Sequence, residues 1–181
     1  IARGGLYRVS RYFLETLGTY AQPENIVGDN PLSIVAQNGE NLEAGIENQM
    51  RLWLADFYET YVDFDPNSAD TCRFLKRTLH HTIYTALNML HHKNGRLPVD
   101  ENGRLIPPAD FVEQYKGEFK DIDPEGLNSA LNLKRSYREF IRNYKGRDLE
   151  LYVGLLREIY QTLPQFRSFI ERNVQRMNGP V

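Results

Sequence analysis

One stretch of the sequence, between residues 68 and 95, repeats apolar side chains at steps of three and four residues. This spacing places them on one narrow stripe of a helix, and its members are Cys72, Leu75, Leu79, Ile83, Ala86 and Leu90. Ser68 or Asp70 can cap the start of this helix, and Asn94-Gly95 supplies a left-handed stop. Other stretches share this period, and the sequence contains no convincing strand pattern outside residues 95–106. The sequence therefore predicts an all-α fold.

The periodic stretches and their breaks predict an irregular bundle of about six or seven helices. Besides the helix over about 69–93, the predicted helices lie at about 5–20, 40–62, 108–119, 123–146 and 148–163, with a last one from Pro164 onwards. Pro164 is placed at a helix start because proline is tolerated in the first turn and breaks a helix interior. Residues 21–39 carry two prolines and two glycines, which predicts a long loop.

A small internal repeat lies between two of these helices. Asn94-Gly95-Arg96-Leu97-Pro98 recurs as Asn102-Gly103-Arg104-Leu105-Ile106-Pro107, and residues 100–103 are typical turn material. This pattern predicts a short hairpin-like excursion near residues 95–106. We interpret it as an exposed connection between helices, and the alternative is an arm that contacts a partner or closes over a ligand.

The length of 181 residues predicts one helical domain over residues 1–181. The chain lacks an initiating methionine, which is compatible with processing or with excision from a longer protein. Its single cysteine, Cys72, excludes an intramolecular disulfide framework and any multi-cysteine metal site. No apolar run reaches the roughly 18–20 residues of a membrane span, and no signal peptide is recognisable. We therefore expect an intracellular, cytoplasmic protein without a membrane partner.

All four histidines lie on the helix predicted over about 69–93, at His80, His81, His91 and His92. Adjacent residues point about 100° apart, and eleven residues span about 16 Å of helix axis, so neither His80 and His81 nor His80 and His91 can share a metal ion. His80 lies beside the apolar stripe and is the best candidate for a single haem or metal ligand. His81 and His92 are predicted to be exposed to solvent. We favour structural or surface roles for all four and predict no metal site.

The net charge of −2 conceals an asymmetry along the chain. From Glu40 to Asp70 there are eight acidic residues and one basic residue, whereas ten basic and five acidic residues lie from Lys134 to Arg176. The basic residues are densest on the helix predicted over 123–146, at Lys134, Arg135, Arg138, Arg142 and Lys145. Their three- and four-residue spacing places most of them on one face, opposite apolar residues. These five are the candidate partner-binding residues.

Three interpretations of this asymmetry are open. The acidic helix over 40–62 can pack beside the basic helix of the same chain. The two surfaces can instead serve a protein partner or self-association. The basic face can also bind nucleic acid or an acidic metabolite, although a pI of about 6.1 disfavours nucleic acid.

The sequence contains no phosphate loop, dinucleotide fingerprint or nucleophile elbow, and no catalytic residue can be assigned. We therefore expect a non-enzymatic interaction or regulatory module that acts through its tyrosine- and arginine-rich helix faces, with no cofactor favoured. The alternative is an all-α haem- or metal-dependent enzyme with His80 as a ligand. A third hypothesis is an enzyme that uses carboxylates and tyrosines brought together only by folding.

Overall fold

The computed structural model of the protein describes residues 42–59, 64–143 and 148–177. Within these ranges it contains no strand and five helices, which are α1 (Leu42–Glu59), α2 (Ala69–Asn94), α3 (Pro108–Glu118), α4 (Glu125–Asn143) and α5 (Leu149–Met177). None of these five helices is long and apolar enough to cross a membrane. The all-α prediction is confirmed for this part of the chain. The helix predicted over about 5–20 and the loop over 21–39 lie outside the described residues, so the count of six or seven is not confirmed.

The central helix of the fold is α2, because it packs against each of the other four described helices. Its start is capped by Ser68, whose Oγ accepts a hydrogen bond from the Thr71 N–H at 3.3 Å. It ends at Asn94 and is followed by Gly95, where φ is 66° and a side chain would be strained. Both ends confirm the sequence prediction. Because α2 has neighbours on several sides, it buries polar side chains such as Thr82 and Asn88 as well as its apolar stripe.

The last helix, α5, runs without a break through Pro164, which corrects the prediction of two separate helices. A proline in a helix interior removes a backbone hydrogen bond and costs about 3 kcal/mol. Buried apolar residues nevertheless continue on both sides of it, at Leu156, Ile159, Phe166, Phe169 and Ile170. Burial of one such side chain contributes about 1.5–3 kcal/mol. The burial of this continuous stripe therefore offsets the defect at the proline.

The connection between α2 and α3 is a tight turn around Asp100. The Asp100 Oδ1 accepts hydrogen bonds from the N–H groups of Asn102 at 2.9 Å and Arg104 at 2.8 Å. One isolated antiparallel bridge joins Val99 to Leu105, and the residues described here form no strand. The predicted excursion thus contains a turn and one bridge, and a hairpin is not confirmed.

Two close contacts fix α4 and α3 against α5. A Cβ atom built on Gly126 of α4 would lie 2.5 Å from the carbonyl oxygen of Gln165 in α5, so only glycine allows the helices to approach this closely. In the core, the Tyr115 hydroxyl of α3 donates a hydrogen bond to the Asn173 Oδ1 at 2.8 Å. The Asn173 amide in turn donates to the Phe169 carbonyl oxygen at 2.8 Å. These contacts hold both α4 and α3 close to α5.

Candidate functional site

Four of the five predicted partner-binding residues line one concave surface between α4 and the start of α3. This cavity has a volume of about 420 Å³, and we call it the basic groove. Its lining residues are Pro107, Pro108, Ala109, Leu131, Lys134, Arg135, Arg138, Glu139 and Arg142. The fifth predicted residue, Lys145, lies outside the described part of the chain. The structure therefore gathers the described basic residues of α4 around a wall of two prolines that the sequence did not indicate.

The cations of the basic groove are not neutralised by the rest of the described protein. Within residues 42–59, 64–143 and 148–177, none of the four forms an ion pair. By contrast, six arginines elsewhere each pair with a carboxylate, and these are Arg51, Arg73, Arg77, Arg167, Arg172 and Arg176. Partial burial, together with the Arg138 guanidinium, lowers the pKa of Lys134. Among its described lining residues, the groove thus carries an excess of positive charge.

One edge of the groove continues onto the histidine-bearing helix α2. The Lys134 Nζ lies 5.4 Å from the centroid of the Tyr84 ring. The His80 ring stacks on the same tyrosine, with a centroid separation of 4.0 Å and an interplanar angle of 23°. Although the His80 side chain is exposed overall, loss of water around the stacked ring and the Lys134 cation lower its pKa. A haem- or metal-binding role of His80 stays a prediction.

His81 is buried, which corrects the prediction that it faces solvent. Its ring stacks on Trp53 of α1, with centroids 4.9 Å apart and an interplanar angle of 10°. Its Nδ1 lies 3.9 Å from the Asp56 Oδ2. Burial, together with the charges of His80 and Arg77, lowers the pKa of His81 to about 3. At neutral pH the imidazole is therefore an uncharged part of the core.

The failed prediction for His81 has a physical reason. Periodicity along one helix identifies its most apolar stripe, whereas the packing of a central helix on several sides depends on the other helices. Here α1 covers the side of α2 that carries His81. His91 is likewise buried, and His92 is half-buried, which corrects the prediction that it too is exposed. In the part of the chain that the structure describes, no three histidine, cysteine or acidic residues lie close enough together to hold a metal ion.

No residue of the described part of the acidic segment, residues 42–59 and 64–70, lines the basic groove. α1 packs against α2 and α5, and α4 is not among its principal neighbours. Two acidic residues of α1 form ion pairs with other partners: Glu47 pairs with Arg51 within α1, and Asp56 pairs with Arg77 of α2. The interpretation of mutual neutralisation between the acidic and basic helices is therefore not supported for the described residues.

A second cavity, with a volume of about 730 Å³, lies between α4 and α5. We call it the acidic groove, and its lining residues are Ser136, Phe140, Asp148, Glu150, Leu151, Gly154, Leu155 and Glu158. Its described lining residues combine three carboxylates with apolar side chains, and none of these described residues is a cation. Sequence reasoning missed this groove because its two walls come from different helices, and no spacing within either helix indicates how they meet.

Comparisons of the chain with protein-family models, with curated proteins and with solved structures give no match. The candidate site is therefore defined by the geometry of the chain itself. Its main features are the four cations of the basic groove and the proline wall that faces them.

Proposed function

We propose that the protein is a non-enzymatic interaction module that binds an acidic segment of a protein partner in the basic groove. The observation that carries this proposal is the convergence of four cations, without ion pairs to described residues, on one concave surface. The four cations and the carboxylate of Glu139 give the described lining residues of the groove a formal net charge of +3. Such a concentration of one sign of charge steers and orients an oppositely charged partner.

The spacing of the cations suits a polypeptide ligand. Lys134, Arg138 and Arg142 follow one another at intervals of four residues, which correspond to about 6 Å each along the helix axis. An acidic helix presents carboxylates at the same interval, and an extended acidic chain presents them about every 6.6–6.8 Å at alternate residues. Arginine guanidinium groups bind carboxylates with two parallel hydrogen bonds, which adds geometric specificity. An acidic protein segment can therefore engage several cations at once.

The apolar part of the groove supports the same class of ligand. Leu131, Pro107 and Pro108 stand beside the cations and offer surface to apolar side chains of a partner. Protein interfaces commonly combine an apolar centre with charged residues at the rim. The Glu139 carboxylate and the chain's overall negative charge both oppose a polyphosphate backbone. These features favour an acidic protein segment over nucleic acid.

A binding measurement with charge-reversed variants tests this proposal. The probe is a fluorescein-labelled peptide of twelve glutamates, and its anisotropy is recorded as protein is added at low salt. In the double variant Arg138→Glu and Arg142→Glu we expect affinity to fall at least tenfold, or about 1.4 kcal/mol. The matched control is Arg73→Glu with Arg104→Glu, which makes the same change in net charge at exposed positions outside the groove.

The control variant should bind the peptide nearly as well as the unmodified protein, and circular dichroism checks that both variants are folded. Equal loss of affinity in the two variants would show that only net charge matters, and it would contradict a specific site. A labelled oligonucleotide of twelve thymidines forms a second arm of the experiment. Tighter binding of the oligonucleotide than of the peptide would overturn the assignment to a protein partner.

A further inference from the structure

We infer that the basic groove of one copy of this chain binds the acidic groove of a second copy, so that the protein associates with itself. This inference rests on the proposed function, because it names the acidic partner of the same site. It assigns a role to the cavity between α4 and α5, which the proposed function leaves unused.

The charges of the two grooves are complementary. The described lining residues of the basic groove have a formal net charge of +3, whereas those of the acidic groove have −3 from Asp148, Glu150 and Glu158. None of these three carboxylates forms an ion pair with another residue in the described ranges. Each groove thus presents the charge that the other lacks.

The two grooves cannot neutralise each other within one chain. Arg138 lines the basic groove, and Phe140 lines the acidic groove only two residues later. Residues two apart on a helix point about 200° away from each other, so the grooves lie on opposite sides of α4. Contact between them requires a second copy of the chain, and this contact joins two different surfaces.

The acidic groove also suits the shape and chemistry of arginine side chains. Leu151 lines it together with Leu155 and Phe140, and 64% of the Leu151 surface is exposed. The long methylene stem of an arginine can cover such apolar surface while its guanidinium reaches a carboxylate at the rim. Insertion of Arg138 and Arg142 from a second copy would remove Leu151 from water and pair the carboxylates of Glu150 and Glu158.

Sedimentation velocity of a charge-swapped pair tests this contact. The first variant carries Arg138→Glu and Arg142→Glu, and the second carries Glu150→Arg and Glu158→Arg. At low salt, we expect the average molar mass of the unmodified protein to increase with protein concentration. At high salt, it should return to the value of a monomer. Each variant alone should sediment as a monomer. An equimolar mixture should associate again, because the intact basic groove of the second variant meets the intact acidic groove of the first.

Two outcomes would overturn the inference. The first is an unmodified protein that stays monomeric up to millimolar concentration at low salt, and the second is a mixture of the two variants that does not associate. The glutamate-peptide measurement keeps this result separate from the proposed function. A monomeric protein that still binds the peptide through Arg138 and Arg142 would contradict self-association alone. Equal loss of peptide affinity in the groove variant and in the control variant would contradict the proposed function.

Discussion

The Lys134 Nζ lies 5.4 Å from the centroid of the Tyr84 ring, and this contact joins the basic groove to the histidine-bearing helix α2. His80 stacks on the same ring, so the Lys134 cation disfavours a proton on His80 and contributes to its lowered pKa. In Lys134→Met, which removes the charge and retains most of the length of the side chain, we expect the pKa of His80 to rise by a fraction of a pH unit. The desolvation of the His80 ring, which is the larger cause of its lowered pKa, is retained in this variant. A proton NMR titration of the His80 ring measures this shift.

Arg73→Met is a suitable control for this titration, since it also removes one positive charge from the exposed surface. Arg73 lies seven residues before His80, or about 10 Å along α2. The control should leave the pKa of His80 unchanged. An unchanged value in Lys134→Met as well would contradict the arrangement of Lys134, Tyr84 and His80.

Burial of uncharged His81 makes the stability of the fold depend on pH. Its pKa is lowered from 6.5 to about 3 in the folded chain, whereas the unfolded chain regains the ordinary value. Between these two pH values the unfolded state binds more protons, so the free energy of unfolding decreases as the pH falls through this range. His81→Phe retains a ring against Trp53 and removes the titration. We expect its loss of stability between pH 7 and pH 5 to be smaller by on the order of 1–2 kcal/mol.

Urea denaturation of both proteins at several pH values measures this difference. The other three histidines are present in both proteins, so the comparison isolates His81. An identical pH dependence in the unmodified protein and in His81→Phe would show that His81 is not held uncharged in the core.

The close approach of α4 and α5 is tested by two glycine substitutions. Gly126→Ala places a Cβ atom 2.5 Å from the Gln165 carbonyl oxygen, so the helices must separate. We expect a loss of about 1–3 kcal/mol in the free energy of unfolding, which is typical of overpacking. A Cβ atom built on Gly154 of α5 meets no atom of another part of the protein within 4 Å among the described residues. Gly154→Ala should therefore stabilise the protein by about 0.5–1 kcal/mol through helix propensity. Equal destabilisation of the two variants would contradict the close packing of α4 against α5 at Gly126.

The hydrogen bond between Tyr115 and Asn173 is tested by removal of one hydroxyl. Tyr115→Phe leaves the Asn173 Oδ1 buried without its donor, and we expect a loss of about 1–3 kcal/mol in the free energy of unfolding. Tyr58→Phe is the matched control, because Tyr58 is 62% exposed while its hydroxyl donates to the Glu171 carboxylate. This control should change stability by less than about 0.5 kcal/mol. Chemical denaturation measures both, and equal effects would contradict a buried hydrogen bond at Tyr115.

Features that arise within one helix could be predicted from the sequence. Ser68 and Gly95 are local signals, and they mark the ends of α2 where the spacing predicted them. The grouping of Lys134, Arg138 and Arg142 on one face likewise follows from helical geometry alone.

Features that depend on packing between helices could not be predicted. The burial of His81 requires α1, and the wall of the basic groove at Pro107 and Pro108 requires the position of α3. The continuity of α5 through Pro164 depends on how much of its apolar surface the neighbouring helices cover. The rule that proline breaks a helix takes no account of this burial. The acidic groove needs two helices at once and has no signal in either alone.

Mapping of the glutamate peptide by NMR on isotope-labelled protein tests the central proposal most directly, because it reports where the ligand binds. We expect the largest shift changes along residues 131–142 of α4 and at Ala109, with little change at the exposed cations Arg96 and Arg104. Shift changes spread evenly over all exposed basic residues, or concentrated outside the basic groove, would contradict the proposal that this groove is the binding site.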